Sequence, residues 1–381
     1  WEPTYLIRRG VSALPRVSSQ EVTPMNADQP DLWRSQGSPA PIVLWDMLDG
    51  PMPRGLLGVG DPNVHLVDDR WTLFVGGFTT MFRNRLFRAH LVDEATGPVG
   101  PWRIDRNPRG RARPLAADPP KGSWDAAGMH TPSYVPPAAG NGARIYYSGR
   151  ANAKLYGPGS RYAIGVLEHV DGQWRRRGAP VLEGSGPRWS VLEPRVVHSG
   201  GRYRMWYQAN PHEIGPGEHP DYELHCVESE DGLTGWTPPR VFAGPDEGFF
   251  DIAIAPRGDR WMMLLARGSD LHNTGGFPPQ GLWWSTAAHP SADRADWSQP
   301  RRFLDTDAPG TPIWMARGTY GPGLAFDPAN PARVTVLLTG VRDAPRWPRL
   351  MLGRVSRLRG PPVPAPFYLS VASLMLDLPT C

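Results

Sequence analysis

The chain has 381 residues, a length that suits one large domain or two ordinary ones. It carries a net charge of +4, with 43 Gly, 45 Pro and 16 Trp, so many tight turns and a large aromatic core are expected. Lys121 and Lys154 are the only lysines; the remaining positive charge is Arg scattered without an aromatic-interleaved stripe, which argues against a nucleic-acid partner.

No stretch reaches the roughly eighteen consecutive apolar residues of a membrane-spanning helix, so no membrane partner is expected. Cys226 and Cys381 have neither metal-site nor disulfide spacing. The chain begins at Trp1 rather than Met, so an upstream piece is expected to be missing, either a removed signal peptide or only the residues before an arbitrary boundary. Secreted and cytoplasmic locations both stay open, as does the oligomeric state.

Residues 1–40 are polar, Pro-rich and aperiodic, and residues 1–50 are assigned to an arm that wraps or closes the domain formed by residues 51–381. Pro41-Ile42-Val43-Leu44-Trp45 and Phe367-Tyr368-Leu369-Ser370-Val371 compete to supply a closing strand.

Between them one unit recurs five times. The copies open at Asp61-Pro62, Thr131-Pro132, Glu193-Pro194, Asp251-Ile252 and Gly321-Pro322. Each opening leads through a polar turn to an apolar-aromatic strand, at Trp71–Val75, Ile145–Ser148, Tyr203–Tyr207, Trp261–Leu265 and Val334–Leu338. The offset from opening residue to aromatic is ten in three copies, Asp61 to Trp71, Glu193 to Tyr203 and Asp251 to Trp261. A further strand is expected at Leu86–Leu91, Tyr162–Val166, Tyr222–Val227, Gly281–Ser285 and Leu350–Val355. Trp102, Trp174, Trp236 and Trp297 then follow turns, and outer strands are expected at Ala179–Leu182 and Arg240–Phe242. About four strands per unit of ~60 residues, with little helical periodicity, is the layout of a five-bladed β-propeller with four-stranded antiparallel blades. A sandwich also alternates, but does not repeat five times in register.

Equivalent openings meet at one rim of the central channel, which brings Asp61, Thr131, Glu193 and Asp251 together. Crowded carboxylates have their pKa values driven apart, leaving one charged and one held as an acid, and hydrolysis of a glycosidic bond needs that pairing. Asp-Pro pairs also start ordinary turns, so the shared register carries the functional reading, not any one residue.

Asp61-Pro62 and Glu193-Pro194 resemble the motifs of the five-bladed glycoside hydrolases of family 43 and its relatives, families 32, 62, 68 and 130. The resemblance covers most of residues 55–355 at the level of pattern. It implies Asp61 as base or nucleophile and Glu193 as general acid. It also implies an Asp before the Pro of another blade, tuning the acid, where this chain has Thr131. Asp125, six residues upstream on a loop, and Asp251 are the candidates for that role. This departure keeps two alternatives open: a repurposed propeller enzyme doing acid/base chemistry on a non-sugar metabolite, and a non-catalytic carbohydrate-binding propeller.

Around the carboxylates, His130 and Thr131 are candidate contacts to a small-molecule or carbohydrate substrate. Alternation turns Arg195 toward the channel of Glu193, where it is expected to clamp a substrate hydroxyl or carboxylate. Trp189 and Trp314 flank the rim as candidate stacking platforms, with core packing as the alternative. No nucleotide or other cofactor is expected, because no Gly-rich phosphate loop follows a strand. No His/Cys cluster suits zinc; axial carboxylates would suit calcium as a structural ion.

Overall fold

The computed structural model describes residues 31–35, 37, 40–138, 140–152, 161–186, 189–210, 222–268, 279–357, 365 and 367–378. Residues 1–30, most of the expected arm, lie outside them. The described strands form five four-stranded antiparallel sheets.

The first strand, β1 (Ile42–Asp46), belongs to the last blade. Blade one holds β2 (Leu56–Val67), β3 (Arg70–Thr79), β4 (Asn84–Leu91) and β5 (Trp102–Ile104). Blade two holds β6 (Gly128–Val135), β7 (Arg144–Arg150), β8 (Tyr162–Val170) and β9 (Gln173–Arg176). Blade three holds β10 (Ser190–Ser199), β11 (Arg202–Asn210), β12 (Glu223–Ser229) and β13 (Arg240–Ala243). Blade four holds β14 (Phe249–Arg257), β15 (Arg260–Arg267), β16 (Gly281–Ala287) and β17 (Arg301–Asp305). Blade five holds β18 (Thr319–Asp327), β19 (Asn330–Arg342) and β20 (Tyr368–Asp377), and β1 completes it. The innermost strands β2, β6, β10, β14 and β18 touch their neighbours right round the ring.

Both competing closing segments are used. The tail supplies the third strand of blade five, β20, and the N-terminal segment supplies the fourth, β1, so the ring is joined through one sheet made from both ends of the described chain. Asp46 at the end of β1 accepts hydrogen bonds from Ser370 Oγ at 2.8 Å and from Arg342 Nη1 at 2.5 Å. Trp45 packs with Val59, Leu73, Leu337 and Val371 in the core between blades five and one. Similar apolar cores fill the other blade interfaces, such as Trp206, Met263 and Trp283 between blades three and four. Burial of this aromatic surface is what ties blade to blade.

Two expected strands are corrected. Leu350–Val355 is not the third strand of blade five; it lies in a helix, Trp347–Val355. Pro348 in the first helical turn has its φ preset and needs no amide donor there, and Leu, Met and Arg favour the helix. The vacated place in the sheet is taken by β20, paired with β19 from Arg333 to Arg342. In blade two the fourth strand is Gln173–Arg176, earlier than Ala179–Leu182. Asp171 and Gly172, at φ 52° and 75°, turn β8 directly into β9 as a two-residue hairpin. Leu182 makes only an isolated bridge to Ile164.

Replacing Trp45 by Ala should cost about 3–5 kcal/mol, because it empties the core at the ring closure. Chemical denaturation of the two proteins would read this as a lower midpoint at similar slope.

Candidate active site

Four of the five repeat openings share an unusual backbone. Asp61, Thr131, Glu193 and Gly321 lie at φ 54°, 54°, 56° and 55°, in the left-handed region. At each, the pairing register slips by a residue, between Gly60 and Asn63, His130 and Ser133, Leu192 and Arg195, and Tyr320 and Gly323. Each X-Pro pair is therefore a β-bulge that re-aims the side chain before the proline. A non-glycine residue held there costs about 1–2 kcal/mol, and a left-handed residue before proline is disfavoured further. Gly321 meets the demand without a side chain. Asp61, Thr131 and Glu193 do not, and such strain held in place is characteristic of functional sites. In blade four the slip comes earlier, between Phe249 and Asp251, so Asp251 enters by a different local route.

The strained amides are secured from the preceding blade. Asp61 N–H donates to Thr339 Oγ1 on β19 at 2.9 Å, and Glu193 N–H donates to Ser148 Oγ on β7 at 2.8 Å. Blades one and four carry Gly76 and Ala266 at the comparable places, with no hydroxyl to offer. There the inner-strand carboxylate takes over. Asp61 Oδ2 accepts from Thr131 N–H at 3.3 Å, and Asp251 Oδ2 accepts from Gly321 N–H at 2.8 Å. Gly76 is needed for this, since a Cβ on it would lie 3.1 Å from Asp61 Oδ2.

Asp61, Glu193 and Asp251 are thus brought together as buried carboxyls, at 7%, 9% and 0% exposure. They differ in how they are satisfied. Asp251 accepts from the amides of Ile252 and Gly321 and faces the Arg195 guanidinium at 3.6 Å. Asp61 Oδ1 and Glu193 Oε2 are buried with no hydrogen-bond partner among the described residues. Burial pushes the Asp61 carboxyl above the usual carboxylate range, the charge of Asp251 adds to this, and Arg195 and Thr131 oppose it. Burial, Asp251 and then Asp61 push Glu193 well above that range. Burial also raises Asp251, against Arg195 and its two amides. The three titrate as a set that shares protons.

Arg195 has a different place from the expected substrate clamp. It is 2% exposed, and its guanidinium donates to Ile252 O at 2.5 Å, Pro132 O at 3.1 Å, and Pro194 and Pro322 O at 3.4 Å. These carbonyls come from blades two to five, so the side chain ties the inner strands across the axis. A hard cation beside Asp251 does not fit this arrangement, because the guanidinium already stands against that carboxylate. Among the described residues, no group of His, Cys, Asp and Glu is arranged to hold a metal ion.

Asp125 is not at this centre. It is fully buried, paired with Arg176 through two contacts of 2.6 and 2.8 Å and hydrogen-bonded by Tyr147 Oη at 2.7 Å and Ser123 Oγ at 2.9 Å. These contacts pin its loop to β7 and β9. Trp314 is core, packed with Met315, Leu324 and Leu338. Trp189 is half-buried beneath the Arg161 guanidinium, 5.5 Å from its ring centre. Thr131 and His130 are at the centre: Thr131 Oγ1 lies 3.5 Å from Asp61 Oδ2 and 2.8 Å from His130 Nδ1. Sequence reasoning missed Tyr162, whose ring meets the His130 ring edge-on at 5.4 Å and whose hydroxyl is raised by burial, with Glu193 and Asp61 adding. It also missed Arg150, 1% exposed, whose charge, after burial, lowers His130. Both lie on outer strands at the rim, one just before and one just after a chain reversal, where no repeat position marks them.

Arg195→Met should cost roughly 3–5 kcal/mol, because it leaves Asp251 buried without its cation. Adding Asp251→Asn should recover part of that loss, and denaturation of the two single variants and the double variant measures the coupling. A second expectation concerns pH. Asp61 and Glu193 hold protons more tightly folded than unfolded, so their contribution is full below the ordinary carboxylate range of about 4 and is lost as pH rises through the raised values. Glu193→Gln cannot ionise. Its melting temperature should therefore gain on the parent by roughly 2–5 °C between pH 4 and pH 8, as a calorimetric pH series would record.

No family model and no curated protein matches the chain. Solved structures are similar to it. An α-L-arabinofuranosidase from Lactobacillus brevis has 12% identity and a TM-score of 0.53, over 83% of this chain and 90% of its own. A thermostable family-43 glycoside hydrolase has 14% identity and a TM-score of 0.53, over 83% and 88%. The catalytic domain of the Coprinopsis cinerea family-62 α-L-arabinofuranosidase has 12% identity and a TM-score of 0.52, over 89% and 98%. At such identities the likeness is one of fold: this chain has the five-bladed β-propeller fold of family-43 and family-62 glycoside hydrolases.

Proposed function

We propose that the protein hydrolyses a glycosidic bond at the channel rim, with Glu193 as general acid and Asp61 as base or nucleophile. The observation that carries this is the pair of strained, buried carboxyls that each keep one oxygen unpartnered among the described residues, Asp61 Oδ1 and Glu193 Oε2. A carboxyl pushed well above its usual range stays protonated near neutral pH and has a proton to give to a leaving oxygen. Asp61 accepts from the amide and the hydroxyl of Thr131 on Oδ2, which leaves Oδ1 to take a proton from water or to attack the anomeric carbon. Asp251, held by two amides and facing Arg195, is a fixed charge that keeps the proton on Glu193. The fold shared with arabinofuranosidases and a β-xylosidase supports a carbohydrate as substrate.

One observation favours a second reading. Thr131 occupies the blade position where the resemblance implies a carboxylate, and the same acid/base pair would serve a repurposed enzyme acting on a non-sugar metabolite.

The test is a panel of arabinosides, xylosides, fructosides and galactosides, each with a poor and a good leaving group, run on the parent, Glu193→Gln and Asp61→Asn. Loss of the acid should lower turnover by about 10²–10⁴-fold for poor leaving groups and far less for dinitrophenyl glycosides, which need no proton. Asp61→Asn should lower turnover of both. Silence of the folded parent across the panel would reject the hydrolase and favour the second reading.

A further inference from the structure

The Thr131 hydroxyl stands beside one of the carboxyls. Its Oγ1 lies 3.5 Å from Asp61 Oδ2, a contact that favours the charged form of Asp61. An ionised carboxylate only accepts, so the Thr131 proton points to a carboxylate and its lone pairs face elsewhere. His130 Nδ1, at 2.8 Å, is placed to donate to them. That assignment puts the imidazole proton on Nδ1 and leaves Nε2 as a bare acceptor; Nε2 is buried and has no partner among the described residues. The ring itself is fixed edge-on against Tyr162, and its Cβ lies against the space that Gly76 leaves open.

Resting on the hydrolase reading, we infer that His130 is a positioning residue: as a neutral Nδ1–H tautomer it orients the Thr131 hydroxyl toward Asp61 and so favours the ionised form of that base. The group must be neutral for this, because an imidazolium 3.9 Å from Asp61 Oδ2 would hold Asp61 ionised as an ion pair. Burial and the Arg150 charge keep it neutral, lowering His130 to about 3. The groups that face the carboxyls are Arg195 and Asp251 from β10 and β14, and Tyr162 and Arg150 from β8 and β7. On β2 itself His65 is also held neutral, lowered to about 4 by burial and by Arg195. None of these donates to Thr131 Oγ1 among the described contacts, which leaves His130 as its orienting donor.

Two substitutions separate this from simple packing. His130→Asn places a side-chain N–H where Nδ1–H stands, whereas His130→Gln mimics Nε2 and puts no donor there. The carboxyl titrations of Asp61 and Glu193 are followed by ¹³C NMR of the Asp- and Glu-labelled protein, with Asp61→Asn and Glu193→Gln as assignment controls. The expected result is an upward shift of the Asp61 titration in His130→Gln and Thr131→Val, little change in His130→Asn, and ¹⁵N shifts of the parent that report the Nδ1–H tautomer. Equal titrations in His130→Asn and His130→Gln, or an Nε2–H tautomer in the parent, would overturn the inference. These readouts need no substrate, so silence on the glycoside panel would reject the hydrolase reading while the NMR experiment still decided the role of His130. Where a glycoside is turned over, the acidic limb of the pH profile, which reports the base Asp61, should move up in His130→Gln and stay in place in His130→Asn.

Discussion

The Arg195 guanidinium on the propeller axis is the interaction on which the rest depends. A ring of blades buries apolar side chains between neighbours, but the inner strands turn their backbone toward the channel, where bulges free carbonyls from the sheet ladder. The carbonyls of Pro132, Pro194 and Pro322 are such groups, and one planar cation with donors along three edges meets them together with the carbonyl of Ile252. A buried cation needs an anion, and Asp251 supplies it at 3.6 Å. The same positive charge bears on Asp61 and Glu193, and restrains the rise in their pKa values that burial and mutual repulsion produce. Structure and chemistry therefore share one charge balance.

The X-Pro bulge is the second device. Proline cannot donate to the ladder, so the strand must break pairing, and the residue before it swings into the left-handed region with its side chain aimed at the channel. Holding it there requires an acceptor for its amide. Ser148 and Thr339 provide hydroxyls from the preceding blade; where Gly76 and Ala266 stand instead, Asp61 and Asp251 provide carboxylate oxygens. The two aspartates are thereby locked by their neighbours' backbones, whereas the oxygens of Glu193 hold no amide of the next blade among the described bonds.

Much of this was legible in the chain because propellers are periodic. Equal offsets from Asp61, Glu193 and Asp251 to their aromatic strands placed three carboxyls in equivalent blades, and equivalence in a closed ring means convergence. The same regularity misled in blade five, where Leu350–Val355 satisfies the strand spacing but follows Trp347-Pro348, a helix start. Asp125 and Trp314 look like site residues by proximity in sequence, yet Asp125 is bound by Arg176 from an outer strand and Trp314 is packed in the blade core. Arg195 was correctly aimed at the channel by alternation, but its partners are carbonyls from four blades, which no local pattern reveals.

The sequence by itself determined the number of blades, the strand order within most of them, and which residue types stand at the rim, because those follow from periodicity, turn chemistry and proline. Tertiary structure alone decided which oxygen of each carboxyl is held and which is left bare, and that Tyr162 and Arg150 close around them. Those properties depend on distances between residues from different blades, and on how completely water is excluded where they meet. A one-dimensional pattern has no coordinate for either.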